Sequence, residues 1–204
     1  VAYLIKYVIF DAMGVVFTVG DDTNNLLVPY ILEKKPDAAR ETILRLYHEA
    51  SLGNISPERF WAGVGFREAE IPAIEKEYLE TRLTLDPEFT ACVKKLKAKY
   101  RIALLSNDIA EWSRYLQAYH RIDQYFDDVF ISSAMRVRKP DKKIYLEALA
   151  RMGAEARECV FIDDHPDRVE AAAELGIIPI LFNRGNHRYH GVQVYSFRQL
   201  SEVL

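Results

Sequence analysis

The chain has 204 residues, half of them apolar, and a net charge of −3, with a pI near 6.0. That length supports one substantial core, or a core with an insertion, and no large positive field is present to draw a nucleic acid. Cys92 and Cys159 lie far apart without metal-ligand spacing, so two buried free thiols in a reducing cytosol are expected.

The opening VAYLIKYVIF is apolar but short, contains Lys6 and runs straight into Asp11. It reads as a strand over 3–10 rather than as a leader or a membrane span, and a soluble cytoplasmic protein is expected. Residues 18–86 are rich in helical patterns (LLVPYILEKK, ARETILRLYHEASLG, SPERFWAGV, PAIEKEYLETRL) and carry no convincing strand. They are expected to form a helical insertion after the first strand, with Phe60, Trp61 and Phe66 packed in its core or lining a substrate pocket. From residue 87 the pattern alternates. Helices are predicted over 87–99, 109–119, 141–152 and 166–175, and strands over 101–105, 128–132, 159–162 and 178–182. The lysines at 94, 95, 97 and 99 read as the solvated face of the first of these helices. Strands alternating with helices predict a parallel sheet with right-handed crossovers, and so an α/β fold.

Four short motifs close predicted strands or the loops that follow them. They are Asp11 in YVIFDAMG, Ser106 in IALLSND, Lys139 in VRKPDKKIY, and Asp163-Asp164 in CVFIDDHPD. Ligand sites in open parallel sheets form outside the carboxyl ends of the strands, so these residues can meet in one pocket. Singly, each has an ordinary reading: Asp11 and Ser106-Asn107-Asp108 as caps, Lys139 as a loop charge. Adjacent carboxylates are less ordinary, because they repel unless a cation or strong donors offset them. Together the set supplies a carboxylate, a hydroxyl, an ammonium and two further carboxylates, the groups that metal-assisted phosphoryl transfer needs.

In that order, with LLSND, RKPD and FIDDHPDRVEAAAELG, the chain resembles the haloacid dehalogenase-like hydrolases, in their branch with a cap inserted after the first motif. The resemblance implies a Rossmann-like three-layer α/β/α core over 1–15 and 87–204 and a helical cap over 16–86. It implies Asp11 as nucleophile, phosphate held by Ser106, Lys139 and backbone amides near Asn107, and Mg²⁺ held by Asp11, Asp163, Asp164 and the Met13 carbonyl. The substrate implied is a small phosphorylated metabolite, with no nucleic acid or membrane partner.

Met13 departs from that pattern, since these phosphatases typically carry a second aspartate two residues after the nucleophile. A thioether neither gives nor takes a proton. Losing such a group costs on the order of 10²–10⁴ in rate unless another residue substitutes. By motif, the nearest substitutes are His165 and Asp108. Two other readings stay open: a metal-independent 2-haloacid dehalogenase, which the paired acids disfavour, and a non-catalytic member that binds a phosphorylated ligand or a partner. His187 and His190 lie three apart in a predicted loop and are a weaker candidate metal pair.

Overall fold

The computed structural model describes residues 4–204. Its centre is a six-stranded sheet in the order β3-β2-β1-β4-β5-β6, parallel throughout. The strands are β1 (Tyr7–Phe10), β2 (Arg101–Ser106), β3 (Asp128–Ile131), β4 (Cys159–Asp163), β5 (Ile178–Phe182) and β6 (Gln193–Val194). β1 is shorter than the 3–10 run predicted, because pairing begins where Tyr7 meets Arg101 and Cys159; residues 1–3 lie outside the described residues. β6 is two residues long and joins the sheet only through Leu181 and Phe182, too short to leave a period-two pattern in the sequence.

The strand period of two assigns the two faces of the sheet. Val8, Phe10, Ile102, Leu104, Val160 and Ile162 pack into one core, while Tyr7, Ile9, Ala103, Leu105, Cys159 and Phe161 pack into the other. On the first face lie α5 (Phe89–Lys97), α6 (Ala110–Tyr119) and α10 (Phe197–Val203). On the second lie α8 (Lys142–Met152) and α9 (Pro166–Ala173). The molecule is therefore a Rossmann-like α/β fold with a helical layer on each side of the sheet. α5 buries Phe89, Cys92, Val93 and Leu96 at helical spacing and leaves Lys94, Lys95 and Lys99 in solvent. α8 starts on Asp141, whose carboxylate accepts the Lys143 N–H at 2.9 Å, and ends on Gly153 at φ 64°. Cys92 and Cys159 are buried free thiols.

Between β1 and α5 the chain forms a π-turn (Thr23–Leu27), then α1 (Val28–Lys34), α2 (Arg40–Ser51), α3 (Pro57–Gly63) and α4 (Ile71–Arg82). None of these adds a strand to the sheet; the segment's isolated bridges pair Phe17 with Met13 and Leu85. Phe60, Trp61 and Phe66 are buried in the common core, where each fully buried large side chain contributes about 1.5–3 kcal/mol. They pack with Tyr30, Tyr47 and Tyr78 of the insertion and with Trp112 of α6. One Glu75 oxygen of α4 accepts both indole N–H groups, from Trp61 at 2.8 Å and Trp112 at 2.7 Å. The insertion is thus fastened to the α6 side of the sheet by an aromatic cluster with a carboxylate at its edge.

Candidate active site

The carboxyl ends of β1, β2 and β4 stand level across the sheet. The register aligns Phe10 with Leu104 and Ile162, so Asp11, Ser106 and Asp163 emerge at one edge. All three are buried, as is Lys139, which arrives from the loop between α7 (Ser132–Met135) and α8. Asn107 positions that loop. Its side-chain oxygen accepts the Lys139 N–H at 2.8 Å and its amide donates to the Lys139 carbonyl at 2.9 Å. The Asn107 side chain is committed to the lysine backbone, which leaves its own N–H as the group able to face an anion. The Lys139-Pro140 peptide is cis.

The Lys139 ammonium has no solvent exposure. It donates to Asp11 Oδ1 at 2.7 Å, Asp163 Oδ2 at 2.7 Å and the Leu105 carbonyl at 2.8 Å. Its three protons are thereby used. Asp163 Oδ1 accepts the His165 N–H at 2.9 Å. Asp11 Oδ2, by contrast, is buried without a hydrogen-bond partner. One carboxylate oxygen of Asp11 is anchored and the other is free, which is the arrangement a nucleophile needs.

Asp164 completes the acidic group. Ligand oxygens of Asp11, Asp163 and Asp164 lie within 4.8 Å of one another, and among the described residues this is the one cluster of three metal-ligating side chains found. His187 and His190 are not part of such a group. The Asp164 carboxylate is seated between Gly14 and Gly20, and a Cβ on either glycine would collide with it. Gly14 also has φ 81°, which favours glycine there. Arg184 fixes the same loop, donating to the Gly14 carbonyl at 2.9 Å, the Val15 carbonyl at 3.2 Å and Asp86 Oδ2 at 2.5 Å.

Six further residues reach this site that the sequence reading did not single out: Asp21, Asp22, Thr23, Tyr47, Arg138 and Arg168. Arg168 Nη1 lies 3.6 Å from Asp11 Oδ2, 3.4 Å from Asp163 Oδ1 and 3.8 Å from Asp164 Oδ1. It stands four residues after Asp164, in the first turn of α9, within the FIDDHPDRVEAAAELG run. Asp22, Tyr47 and Arg138 line a cavity of ≈ 80 Å³ together with Asp11, Met13, Asp21, Thr23, Ser106, Asn107 and Arg168. Asp21-Asp22 is an adjacent acid pair, and the criterion that singled out Asp163-Asp164 applied to it equally. A larger chamber of ≈ 620 Å³ adjoins, sharing Asp21 and Arg168 and adding Asp164, His165, Arg184 and His187.

The two nearest candidates by motif for the role that Met13 cannot fill do not line the small cavity around Asp11. His165 is exposed and belongs to the outer chamber. Asp108 is buried but lines a ≈ 10 Å³ void with Met13, Phe17 and Leu116, apart from the lining around Asp11. Met13 itself is buried in the core and touches both spaces.

Burial and charge crowding raise three of the acids, while Lys139, Arg168 and the His165 N–H hold Asp163 below its ordinary value despite its burial. Burial, with the neighbouring Asp163, raises Asp11. Burial and the charges of Asp11 and Asp163 push Asp164 up to about 8, from an ordinary 3.8. Burial and the charges of Asp11 and Asp21 push Asp22 up to about 7. Such a group binds a proton in the folded chain that the unfolded chain has already released. The metal-free fold is therefore expected to lose stability as pH rises from about 4 to about 8, and to level off above. Thermal unfolding across that range in a chelator measures it; a melting temperature that climbs steadily through the window contradicts the crowding described. A divalent cation on the same carboxylates competes with the protons and flattens the trend.

The parallel sheet thus gathers buried carboxylates at its carboxyl edge, one Asp11 oxygen among them without a hydrogen bond. The haloacid dehalogenase-like hydrolase model matches residues 5–176, and the chain belongs to that family. It is 32% identical over 75 residues to flavin mononucleotide hydrolase 1 of Arabidopsis thaliana, covering 37% of this chain and 31% of that one. It is 26% identical over 178 residues to the sesquiterpene phosphatase astK of Aspergillus oryzae, covering 85% and 87%. Against the first of the curated relatives it matches, the chain spans about a third of their length. In fold it resembles a HAD family enzyme of Bacteroides thetaiotaomicron solved with magnesium and inorganic phosphate, with TM-score 0.74, 21% identity and coverage of 91% and 98%. Dehalogenases are among the similar structures as well, so the choice of chemistry falls to the site. Among the described residues no helix is long and apolar enough to cross a membrane.

Proposed function

We propose that this hydrolase is a magnesium-dependent phosphatase that acts on a small phosphorylated metabolite through an aspartyl-phosphate on Asp11. The observation that carries the reading is the unpaired Asp11 oxygen in a small polar cavity, beside two further carboxylates whose crowding calls for a cation. The phosphatase names of several relatives support it. Residues 16–86 act as the cap over the pocket, and Asp21, Asp22, Thr23 and Tyr47 are the insertion's contribution to its walls.

Asp11 Oδ2 attacks phosphorus while Lys139 holds Oδ1 and fixes the line of approach. Ser106 and the Asn107 N–H receive the phosphoryl oxygens, in a cavity that Arg138 and Arg168 also line. Lys139 neutralises Asp11 and Asp163, so that the nucleophile and a negatively charged phosphoryl group can meet. Asp11, Asp164 and the Met13 carbonyl would hold Mg²⁺, with Asp163 in support, and the close grouping of the three carboxylates fits that donor set. Magnesium, when bound, offsets the negative charge of the phosphoryl oxygens. The cavity around Asp11 measures ≈ 80 Å³, which suits a phosphoryl group, and the ≈ 620 Å³ chamber next to it is where the rest of a small metabolite fits. We assign the protein to the cytoplasm, where its two thiols stay reduced.

Dehalogenation at carbon needs no metal, and so leaves the crowding of Asp163 and Asp164 beside Asp11 without a cation to offset it. A magnesium titration scored for phosphate release from a panel of phosphate esters, and for halide release from 2-haloacids, tests the assignment. Magnesium-dependent phosphate release is expected. Metal-free halide release overturns the assignment in favour of dehalogenation, and binding of phosphate esters without turnover overturns it in favour of a non-catalytic role.

A further inference from the structure

On the phosphatase reading, one requirement still lacks a residue. The leaving oxygen must receive a proton, and the attacking water must later surrender one. Met13 does neither, His165 is exposed in the outer chamber, and Asp108 lies in a different void.

We infer that Asp22 is the general acid and base of this reaction, acting across the small cavity that it shares with Asp11, Ser106 and Met13. The inference rests on the phosphatase reading and supplies its missing group. Two observations carry it. The first is proximity: a cavity of ≈ 80 Å³ brings its lining groups close to any phosphoryl held there. The second is a division of labour between adjacent acids. Asp22 precedes the Thr23–Leu27 helix with its backbone already helical, at φ −54° and ψ −29°, so it is not set to cap, and its side chain makes no capping bond. Asp21 does the fastening instead. In left-handed backbone at φ 45°, it accepts the Asn24 amide through both oxygens at 2.9 Å. One acid of the pair anchors the turn, and the other is left to the cavity. Burial, with the charges of Asp11 and Asp21, pushes Asp22 up to about 7 and supports the same role, since a carboxyl poised there both gives and takes a proton near neutral pH.

The step balances as follows. Asp11 Oδ2 forms its bond to phosphorus as the bond to the leaving oxygen breaks. The electron pair stays on that oxygen, which takes the Asp22 proton and departs as an alcohol. Water then attacks the phosphorus of the aspartyl-phosphate and passes a proton to the Asp22 carboxylate. The Asp11–phosphorus bond breaks, Asp11 returns as a carboxylate and inorganic phosphate leaves. The sum is ester plus water giving alcohol plus phosphate, with Asp22 protonated again. The acid thus comes from the insertion rather than from the loop after the nucleophile.

The test is phosphate release, with magnesium, from esters whose leaving groups range from alkyl alcohols to acidic phenols. Wild type is expected to show a shallow dependence on leaving-group acidity. Asp22→Asn should lose on the order of 10²–10⁴ on alkyl esters and less than about tenfold on the best phenols. Asp22→Glu should keep the shallow slope, and Met13→Asp added to Asp22→Asn should return part of the alkyl rate. An equal loss across the series in a folded Asp22→Asn protein, with wild type active, overturns the role of Asp22 alone. If Asp22→Asn fails to fold, a steep series in Asp22→Glu overturns it and a shallow one upholds it. No release by wild type from any ester overturns the phosphatase reading, and this assignment with it.

Discussion

Asp11→Asn is expected to reduce hydrolysis to background, a fall on the order of 10⁴–10⁶, while leaving the fold intact. The amide keeps an oxygen for Lys139 to donate to, and the atom it changes, Oδ2, has no hydrogen bond to lose. An amide nitrogen in that place has no free pair with which to attack phosphorus. The same substitution removes a charge that burial and Asp163 disfavour. The metal-free variant is therefore expected to melt above metal-free wild type. A variant that is inactive and more stable is the mark of a residue held for chemistry at the expense of the fold. Retained turnover removes Asp11 as nucleophile; a lower melting temperature contradicts the crowding account.

Lys139→Met is expected to fail in both respects. The ammonium is fully buried between Asp11 and Asp163, and methionine fills the volume without replacing the charge. Removing one partner from a buried ionic group costs about 3–5 kcal/mol, because the remaining carboxylates stay desolvated and unpaired. For a chain of this size that is a drop in melting temperature on the order of 10 °C. Turnover should fall with it, since Asp11 loses the bond that orients it. The stability deficit should shrink toward acidic pH, where the stranded carboxyls take up protons. Denaturation curves for wild type and Lys139→Met at several pH values check the point, and equal stability near neutral pH contradicts it.

The sheet was legible because its strands are buried on both faces and end in chemically marked turns. Asp11, Ser106, Lys139 and the paired acids announced the edge at which they meet, and the aromatic run around Trp61 announced a packed insertion. What stayed hidden was set by tertiary placement. β6 pairs through only two residues, below the length at which alternation can be seen. Asp22 belongs to none of the four motifs, and only its place on the cavity wall marks it. Arg138 and Tyr47 come to the pocket from segments far apart in the chain. Asp108 and His165 were nearest by motif, but adjacency along the chain did not settle which space each side chain enters. Asn107 was expected at the phosphate through backbone amides; that its side chain braces the Lys139 backbone was not legible in the sequence.

The central claim is that a phosphoryl group passes through Asp11. The most direct test mixes wild-type protein with an aryl phosphate and magnesium, quenches in acid within one turnover, and weighs the proteolytic fragments. The fragment containing Asp11 is predicted to gain the mass of one phosphoryl group, and the same fragment from Asp11→Asn to gain nothing. Sustained phosphate release with an unmodified Asp11 fragment at every quench time, or a phosphoryl group on another residue, would contradict the account.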